Sequence, residues 1–302
     1  MGLFDWVVGN NHHVEYYSLE ESEGVREEGD YKKWRKCGLW TYWYENGQKR
    51  DEGNYKDGKQ DGTWIHWDKN GQKDHEGNWR GGKQDGLWTK WYENGQKERE
   101  GHVKDGKGGG LATWWYENGQ KKEEGNVKDD KEDGLWSYWN ENGQKKEERT
   151  FNEGKFDGLW REWYENGHKE IGGNYKDGKK EGLWIYWNEN GQKNHEGNWT
   201  DDKREGLWTW WYENGQKKWE INYKNGETDG LWTLWYENRQ KWSEGTYKDD
   251  KGEGLWAWWY ENGQKEKEGN LKEGKQEGLW TLWDEDGNIT RTEIYKDGVL
   301  VQ

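Results

Sequence analysis

Hydrophobic and polar positions alternate along this chain in blocks too short for helices and well matched to strands. Leu39-Trp40-Thr41-Tyr42-Trp43-Tyr44 is a run of aromatic and β-branched residues. Glu45-Asn46-Gly47-Gln48 follows it, then the polar run Lys49 to Lys56, then Asp57-Gly58. Asn-Gly between two such runs is the strongest short-range hairpin signal. No stretch repeats its apolar residues at helical spacing, and 46 glycines oppose helix. A two-residue loop at Asn46-Gly47 pairs Tyr44 with Lys49, Tyr42 with Asp51 and Trp40 with Gly53. Leu39, Thr41 and Trp43 then point to the opposite face. With Trp40 across from Gly53, the indole can lie flat over bare backbone, an aromatic ladder that uses glycine as its spacer.

The block recurs. Glycines stand at 38, 62, 86, 110, 134, 158, 182, 206, 230, 254 and 278, one every 24 residues, so eleven units follow one another without insertion or deletion. A period of 20–50 residues marks a repeat architecture in which each unit contacts mainly its neighbours. Trp43 has an equivalent in every unit, and Trp40 in all but one, where Ala112 replaces it. The expected ladder therefore includes Trp40, Trp43, Trp64, Trp67, Trp88, Trp91, Trp136, Trp139, Trp160 and Trp163. Arg50, Lys122, Lys146 and Lys218 are placed to cover the Trp43-type rings. Residues 14–37 read as a degenerate N-terminal repeat, 38–277 as ten full repeats and 278–302 as a C-terminal capping repeat. Residues 1–13 read as a cap segment that packs Leu3, Phe4 and Trp6 on the sheet. The fold class expected is all-β: an elongated, twisted, open antiparallel array of β-hairpins, about twelve units, with strands of about six residues.

Composition changes that picture only by ruling things out. A hydrophobic fraction of 28% with a net charge of −15 points toward disorder, but 17% aromatic residues, 30 of them Trp, supply the apolar area that a thin sheet needs. Cys37 is the one cysteine, so no internal disulfide forms. No segment is apolar and long enough to span a membrane, and no signal peptide is visible, which leaves a cytoplasmic expectation. The acidic balance argues against nucleic acid. A column of lysines, from Lys49 through Lys73, Lys97 and Lys121 to Lys145, offers a local basic stripe to a membrane surface.

The unit at residues 38–61, GLWTYWYENGQKRDEGNYKDGKQD, resembles the bacterial MORN-repeat variant, the repeat type of proteins often labelled YwqK-family antitoxins, and the resemblance covers residues 14–301. It implies an elongated antiparallel sheet of successive hairpins. It implies no single activity: such proteins are scaffolds, tethers to membranes or cytoskeleton, and in places lipid-binding or antitoxin modules.

Candidate chemistry is sparse. His66, His75, His102, His168 and His195 are scattered through the repeat, and only His12 and His13 adjoin. Paired carboxylates recur with the unit, as at Glu123-Glu124, and read as solvated charge. Asp284-Glu285-Asp286-Gly287-Asn288 has a faint calcium-loop pattern but occupies the ordinary hairpin turn. No catalytic residue, cofactor or metal site is expected. Two places depart from the pattern. Extra tryptophans (Trp210, Trp219, Trp242, Trp258) gather in units that also carry Ile221 and Arg239 at glycine positions, a candidate interaction patch. The stretch from Lys107 to Ala112 lacks its first Trp and suggests a bend. The expected function is a non-enzymatic scaffold that associates with itself as a filament, tube or sheet, through aromatic faces or through a C-terminal edge made of Ile294, Val299, Leu300 and Val301. The alternative is a soluble module that binds another protein, such as an antitoxin, or less readily a carbohydrate.

Overall fold

The computed structural model describes residues 12–16 and 25–302, and every described element is a strand. The cap expected from Leu3, Phe4 and Trp6 lies outside the described residues. The chain divides into two compact units, residues 1–146 with 151–154, and residues 147–150 with 155–302.

The first unit holds β1 (His12–Tyr16), β2 (Val25–Lys32), β3 (Arg35–Trp43), β4 (Lys49–Lys56), β5 (Lys59–Trp67) and β6 (Lys73–Arg80). It continues with β7 (Lys83–Trp91), β8 (Lys97–Lys104), β9 (Lys107–Trp115), β10 (Lys121–Lys128) and β11 (Lys131–Trp139). β12 (Lys145–Asn152) is divided between the two. The second unit holds β13 (Lys155–Trp163), β14 (Lys169–Lys176), β15 (Lys179–Trp187), β16 (Lys193–Thr200), β17 (Lys203–Trp211) and β18 (Lys217–Lys224). It ends with β19 (Glu227–Trp235), β20 (Lys241–Lys248), β21 (Lys251–Trp259), β22 (Lys265–Lys272), β23 (Lys275–Trp283), β24 (Ile289–Lys296) and β25 (Val299–Leu300). From β1 to β11 and from β13 to β25, each strand pairs antiparallel with the next. The all-β hairpin array is thus present, with strands longer than the six residues expected.

The extra length comes from the glycine series. On β5, Gly53 faces Trp64 and Asn54 faces Asp61, so Gly62 and Thr63 bulge away from β4 while still pairing with Trp79 and Asn78 on β6. Gly62 has φ +82°, and its equivalents from Gly38 to Gly278 are all left-handed too. A side chain at such a bulge is strained, which accounts for glycine every 24 residues.

The turns correct the expected register at one point. Trp40 pairs with Gly53 and Tyr42 with Asp51 as expected, but Trp43, not Tyr44, pairs with Lys49. Gly47 N donates to Tyr44 O at 3.0 Å and Tyr44 N to Gln48 O at 2.8 Å. Gly47 lies at φ +81°, so the loop is the three-residue type with a glycine bulge. The two-residue turn is at Asp57-Gly58 instead, both residues at positive φ, with Lys56 paired to Lys59.

Both rims are laced. The Tyr44 hydroxyl donates to Trp67 O at 3.0 Å and Asn46 Nδ2 to Lys69 O at 2.8 Å. Tyr92 and Asn94 repeat these bonds to Trp115 and Glu117. On the other rim Gly58 N donates to Lys36 O at 3.0 Å. Each of these bonds joins atoms a fixed number of residues apart, so one inserted residue breaks several together. That is why the turn lengths do not drift.

Candidate functional site

The core is a row of indoles on one face. Trp40, Trp184 and Trp208 are fully buried, and Trp64, Trp136, Trp256 and Trp280 nearly so. The floor of each is glycine, but of the preceding unit rather than of its own hairpin. A Cβ built on Gly29 would lie 2.3 Å from the Trp40 ring, and one on Gly53 would lie 2.3 Å from Trp64. The expected spacer of Trp40 was Gly53. The indole instead folds back across Gly29, which it also faces in the ladder.

The other sides of the slot are built as consistently. Five indoles, Trp40, Trp64, Trp136, Trp184 and Trp208, donate Nε1–H to the carbonyl of the residue after the floor glycine, at 2.9–3.2 Å. A ring stands edge-on to each of several: Tyr31 to Trp40, Tyr55 to Trp64, Tyr175 to Trp184 and Trp199 to Trp208, with centroids 5.0–5.3 Å apart. Such pairs contribute about 0.5–1.5 kcal/mol beyond burial. A cation covers some: Lys36 Nζ is 3.8 Å from the Trp40 centroid, Lys180 Nζ 4.3 Å from Trp184 and Arg204 Cζ 4.7 Å from Trp208.

Trp43, Trp67, Trp91, Trp139 and Trp163 are half-buried on the opposite face. The cations there are the Lys49 column rather than Arg50, Lys122 and Lys218, which lie over Tyr42, Tyr116 and Tyr212. Lys49, Lys73, Lys97 and Lys121 each reach the Trp of the following unit, at 5.4–5.8 Å. Each also pairs with a glutamate three residues on, Glu52, Glu76, Glu100 and Glu124. The lysine stripe is therefore internally paired.

Three floor positions depart from glycine. Arg149 puts its guanidinium 4.4 Å from the Trp160 centroid, and Trp160, like Trp88 and Trp232, is less buried than the other row members. Ile221 fills the floor under Trp232 and is buried. Glu293 lies at the third, paired with Trp280.

The stretch before Ala112 does not interrupt the ladder. β9 stays paired on both sides, Ala112 with Gly101 and with Gly125. The missing indole leaves a recess of about 760 Å³ between Trp88 and Trp136. Four truncations coincide there. Ala112 replaces the indole, Val103 and Val127 stand where most other units place an aromatic residue, and Gly108, like Gly252, stands at the position of Lys36 and Lys180. A Cβ on Gly101 would meet only Ala112 Cβ, at an ordinary 3.4 Å. Trp114 has not collapsed into the recess: its centroid lies 5.7 Å from Trp136, the same distance as Trp258 from Trp280. Arg99, Glu123 and Glu132 supply charge at the walls. Burial holds the Glu123 carboxyl above the usual carboxylate range, with Lys122 opposing and Glu132 adding to the shift. The signal for this site was in the sequence, in the coincidence of Val103, Gly108, Ala112 and Val127, and reading one missing Trp as a bend overlooked it.

The expected patch of extra tryptophans is largely packed. Trp210 pairs with Trp219 at 4.4 Å and with His195 at 5.7 Å. Trp258 stacks between Trp256 and Trp280 under Lys267. Trp242 is the exposed member, beside Tyr236. The hydrophobic groups that do face solvent are elsewhere. Leu39, Leu87, Leu111 and Leu135 in the first unit, and Leu183, Leu207, Leu231, Leu255 and Leu279 in the second, are 38–57% exposed. Ile289, Ile294, Val299, Leu300 and Val301 near the chain's last strands are exposed too, all but Ile294 by more than half.

Histidines also come together where the sequence did not suggest it. His66 pairs with His75, and with Asp74 their ligand atoms lie within 4.8 Å of one another. His13, Glu15 and Glu27 form a similar group. His66 Nδ1 already bonds Asp51 at 2.6 Å and His75 Nδ1 bonds Asp74 at 2.8 Å. The two imidazoles stack 4.7 Å apart and 22° from parallel, so their in-plane lone pairs run side by side rather than converging. The calcium-like turn is closed by its own side chain, Asp284 Oδ1 accepting from Asn288 N and Asp286 N.

A glycine-floored indole row, laced hairpins and a fixed unit define an all-β hairpin-repeat protein. Residues 36–57, 84–105, 109–129, 132–153, 156–177, 204–225, 252–273 and 276–297 match the MORN repeat variant, more than half of the chain, which belongs to that family. Repeats of this type serve as scaffolds or binding modules. No curated protein matches the chain. Among solved structures it is similar to the crystal structure of TcdB2-TccC3-Cdc42, at 9% identity over 96% of this chain and 17% of that one, TM-score 0.20. A second similar structure is TcdB2-TccC3-TEV, at 11% identity over 94% of this chain and 18% of that one, TM-score 0.20. The chain spans less than a fifth of the length of either.

Proposed function

We propose that the protein is a non-enzymatic scaffold that associates with itself by strand addition at β24 and β25. The observation that carries this reading is the exposed apolar run on an open edge. β25 pairs with β24 at Tyr295 and Lys296, and the residues after it cover Ile294, whose N donates to Gln302 O at 2.7 Å and whose carbonyl accepts from Val301 N at 2.8 Å. Over residues 289–293, no strand among the described residues pairs with β24 on the side away from β23. An uncovered edge with apolar side chains is a template for another chain. The indole row is an unsuitable contact surface, since Trp40, Trp184 and Trp208 are spent on internal packing.

The net charge of −15 opposes association at low salt, so added salt should strengthen it. Light scattering on the 302-residue chain, from micromolar to about a hundred micromolar, tests the reading. Mass should rise with concentration, and Val299→Lys with Leu300→Lys should return it to 36.4 kDa. A constant 36.4 kDa throughout overturns it.

A second reading, a module that binds another protein, rests on the exposed leucine columns. If Leu207→Lys with Leu231→Lys abolishes association while the edge variants do not, the leucine face is the contact surface.

A further inference from the structure

We propose that the recess at Ala112 is a binding site for a small planar heteroaromatic molecule that carries an N–H donor, of the size and class of indole. The rest of the row supplies the argument. An indole slot in this protein has a glycine floor, a carbonyl one residue beyond it, and rings on either side. The Ala112 recess keeps the first two features. Gly101 is the floor, in ordinary strand conformation and facing Ala112. The carbonyl equivalent to Asn126 O, which accepts the Trp136 Nε1–H at 2.9 Å, is that of His102, a residue of the recess wall. Trp88, Trp114 and Trp136 keep aromatic walls around it.

What differs is removal of bulk at four separate positions that meet only in space. Loss of one Trp alone would leave room for the ring and nothing more. The shorter Val103 and Val127 widen the recess along the sheet, and Gly108 takes away the side chain that covers Trp40 or Trp184 elsewhere. The result opens to solvent on the side where a ligand would enter, at a volume typical of small-molecule sites. Recesses built by truncation take up rings, and here Trp88, Trp114, Trp136, Val103 and Val127 supply the apolar part of the lining beside the charges of Arg99, Glu123 and Glu132. Here the backbone acceptor adds a preference for a ring with N–H.

The experiment is isothermal titration of indole into the full-length chain, with saturation-transfer NMR to map the ring's contacts. Wild type should bind one indole per chain. Ala112→Trp, which rebuilds the unit's own indole in the slot, should weaken binding at least tenfold. Gly108→Lys, which restores the cover and leaves the floor intact, should weaken it severalfold. 1-Methylindole, which cannot donate to the His102 carbonyl, should bind about fivefold more weakly than indole, the ratio expected for one hydrogen bond of about 1 kcal/mol. Absence of saturable binding to wild type overturns the proposal, as does equal affinity of wild type and Ala112→Trp. Equal affinity for indole and 1-methylindole overturns the assignment of the carbonyl.

Discussion

Gly197→Ala should disrupt the array locally and Gly101→Ala should not, although both replace a floor glycine in a strand. A Cβ on Gly197 falls 2.1 Å from Trp208 Cδ2, 2.3 Å from Cε2 and 2.4 Å from Cγ. Carbon atoms rest at about 3.5–4.0 Å, so the indole must withdraw by about 1.5 Å. It has nowhere to go. Arg204 lies 4.7 Å from its centroid, Trp199 stands edge-on at 5.3 Å, and its Nε1–H is bonded to Asn198 O at 3.1 Å. Losing the hydrogen bond costs about 1 kcal/mol, the edge-on pair about 1, and overpacking about 1–3. The expected loss is about 3–5 kcal/mol, comparable with deleting a buried Trp outright. At Gly101 the same methyl meets Ala112 at 3.4 Å, and the loss should stay within about 0.5 kcal/mol. Repeat arrays open locally, so hydrogen exchange by mass spectrometry over residues 195–210 and 99–114 is the assay, with urea unfolding followed by circular dichroism beside it. Equal protection losses at the two sites would refute the glycine-floor reasoning.

Arg239→Gly should stabilise the protein by about 1 kcal/mol in urea unfolding, because Arg239 stands at φ +74° in a turn where other units place glycine. Asn94→Ala removes the bonds from Asn94 Nδ2 to Glu117 O and from Gln96 N to Asn94 Oδ1, and should cost about 1 kcal/mol, read as faster exchange at residues 94–96. His195, between Tyr186 and Trp210, is pushed down to about 4 by burial first and then by Arg204 and Lys180. Its folded value is below its unfolded one, so its contribution is present above about pH 6.5 and is lost as pH falls toward 4. The thermal midpoint should therefore drop over that range, and drop less in His195→Phe, which keeps the stack and does not titrate.

The hairpins, the unit length and the glycine-supported indoles were legible from the sequence because each rests on local chemistry: Asn-Gly turns, aromatic runs and the absence of Cβ. Two errors share a cause. Strands of about six residues were expected where eight or nine form, and Gly53 was taken as the seat of Trp40. Both questions turn on how one hairpin joins the next, and a single hairpin's pairing does not decide that. Register within the pair fixes that Trp40 opposes Gly53, yet the ladder also places Gly29 on its other side, and χ angles decide which glycine the ring covers. The meeting of His66 with His75 was legible by contrast: the expected pairing of Tyr42 with Asp51, carried one unit on, sets the two opposite, and it was overlooked because the histidines were read as scattered positions rather than as a cross-strand pair. The recess is the instructive case, because its four residues are spread over 25 positions and mean little until they are superposed on the repeat.

Because each glycine-floored indole leans back over the strand before it, the array is laid like shingles, and breaking it leaves two unlike ends. A chain divided between β16 and β17 would carry Gly197 on one fragment as a strip of uncovered main chain, polar and ready to hydrogen-bond. The other fragment would carry Trp208 with its underside bare, an apolar face of about 100 Å² or more seeking a flat surface. Both ends present an open strand edge, but the second adds an apolar face to it, so fragments that begin on a Trp strand should aggregate more readily than fragments that end on a Gly strand. A repeat protein with this overlap has a direction built into its stickiness, set by which way one side chain leans.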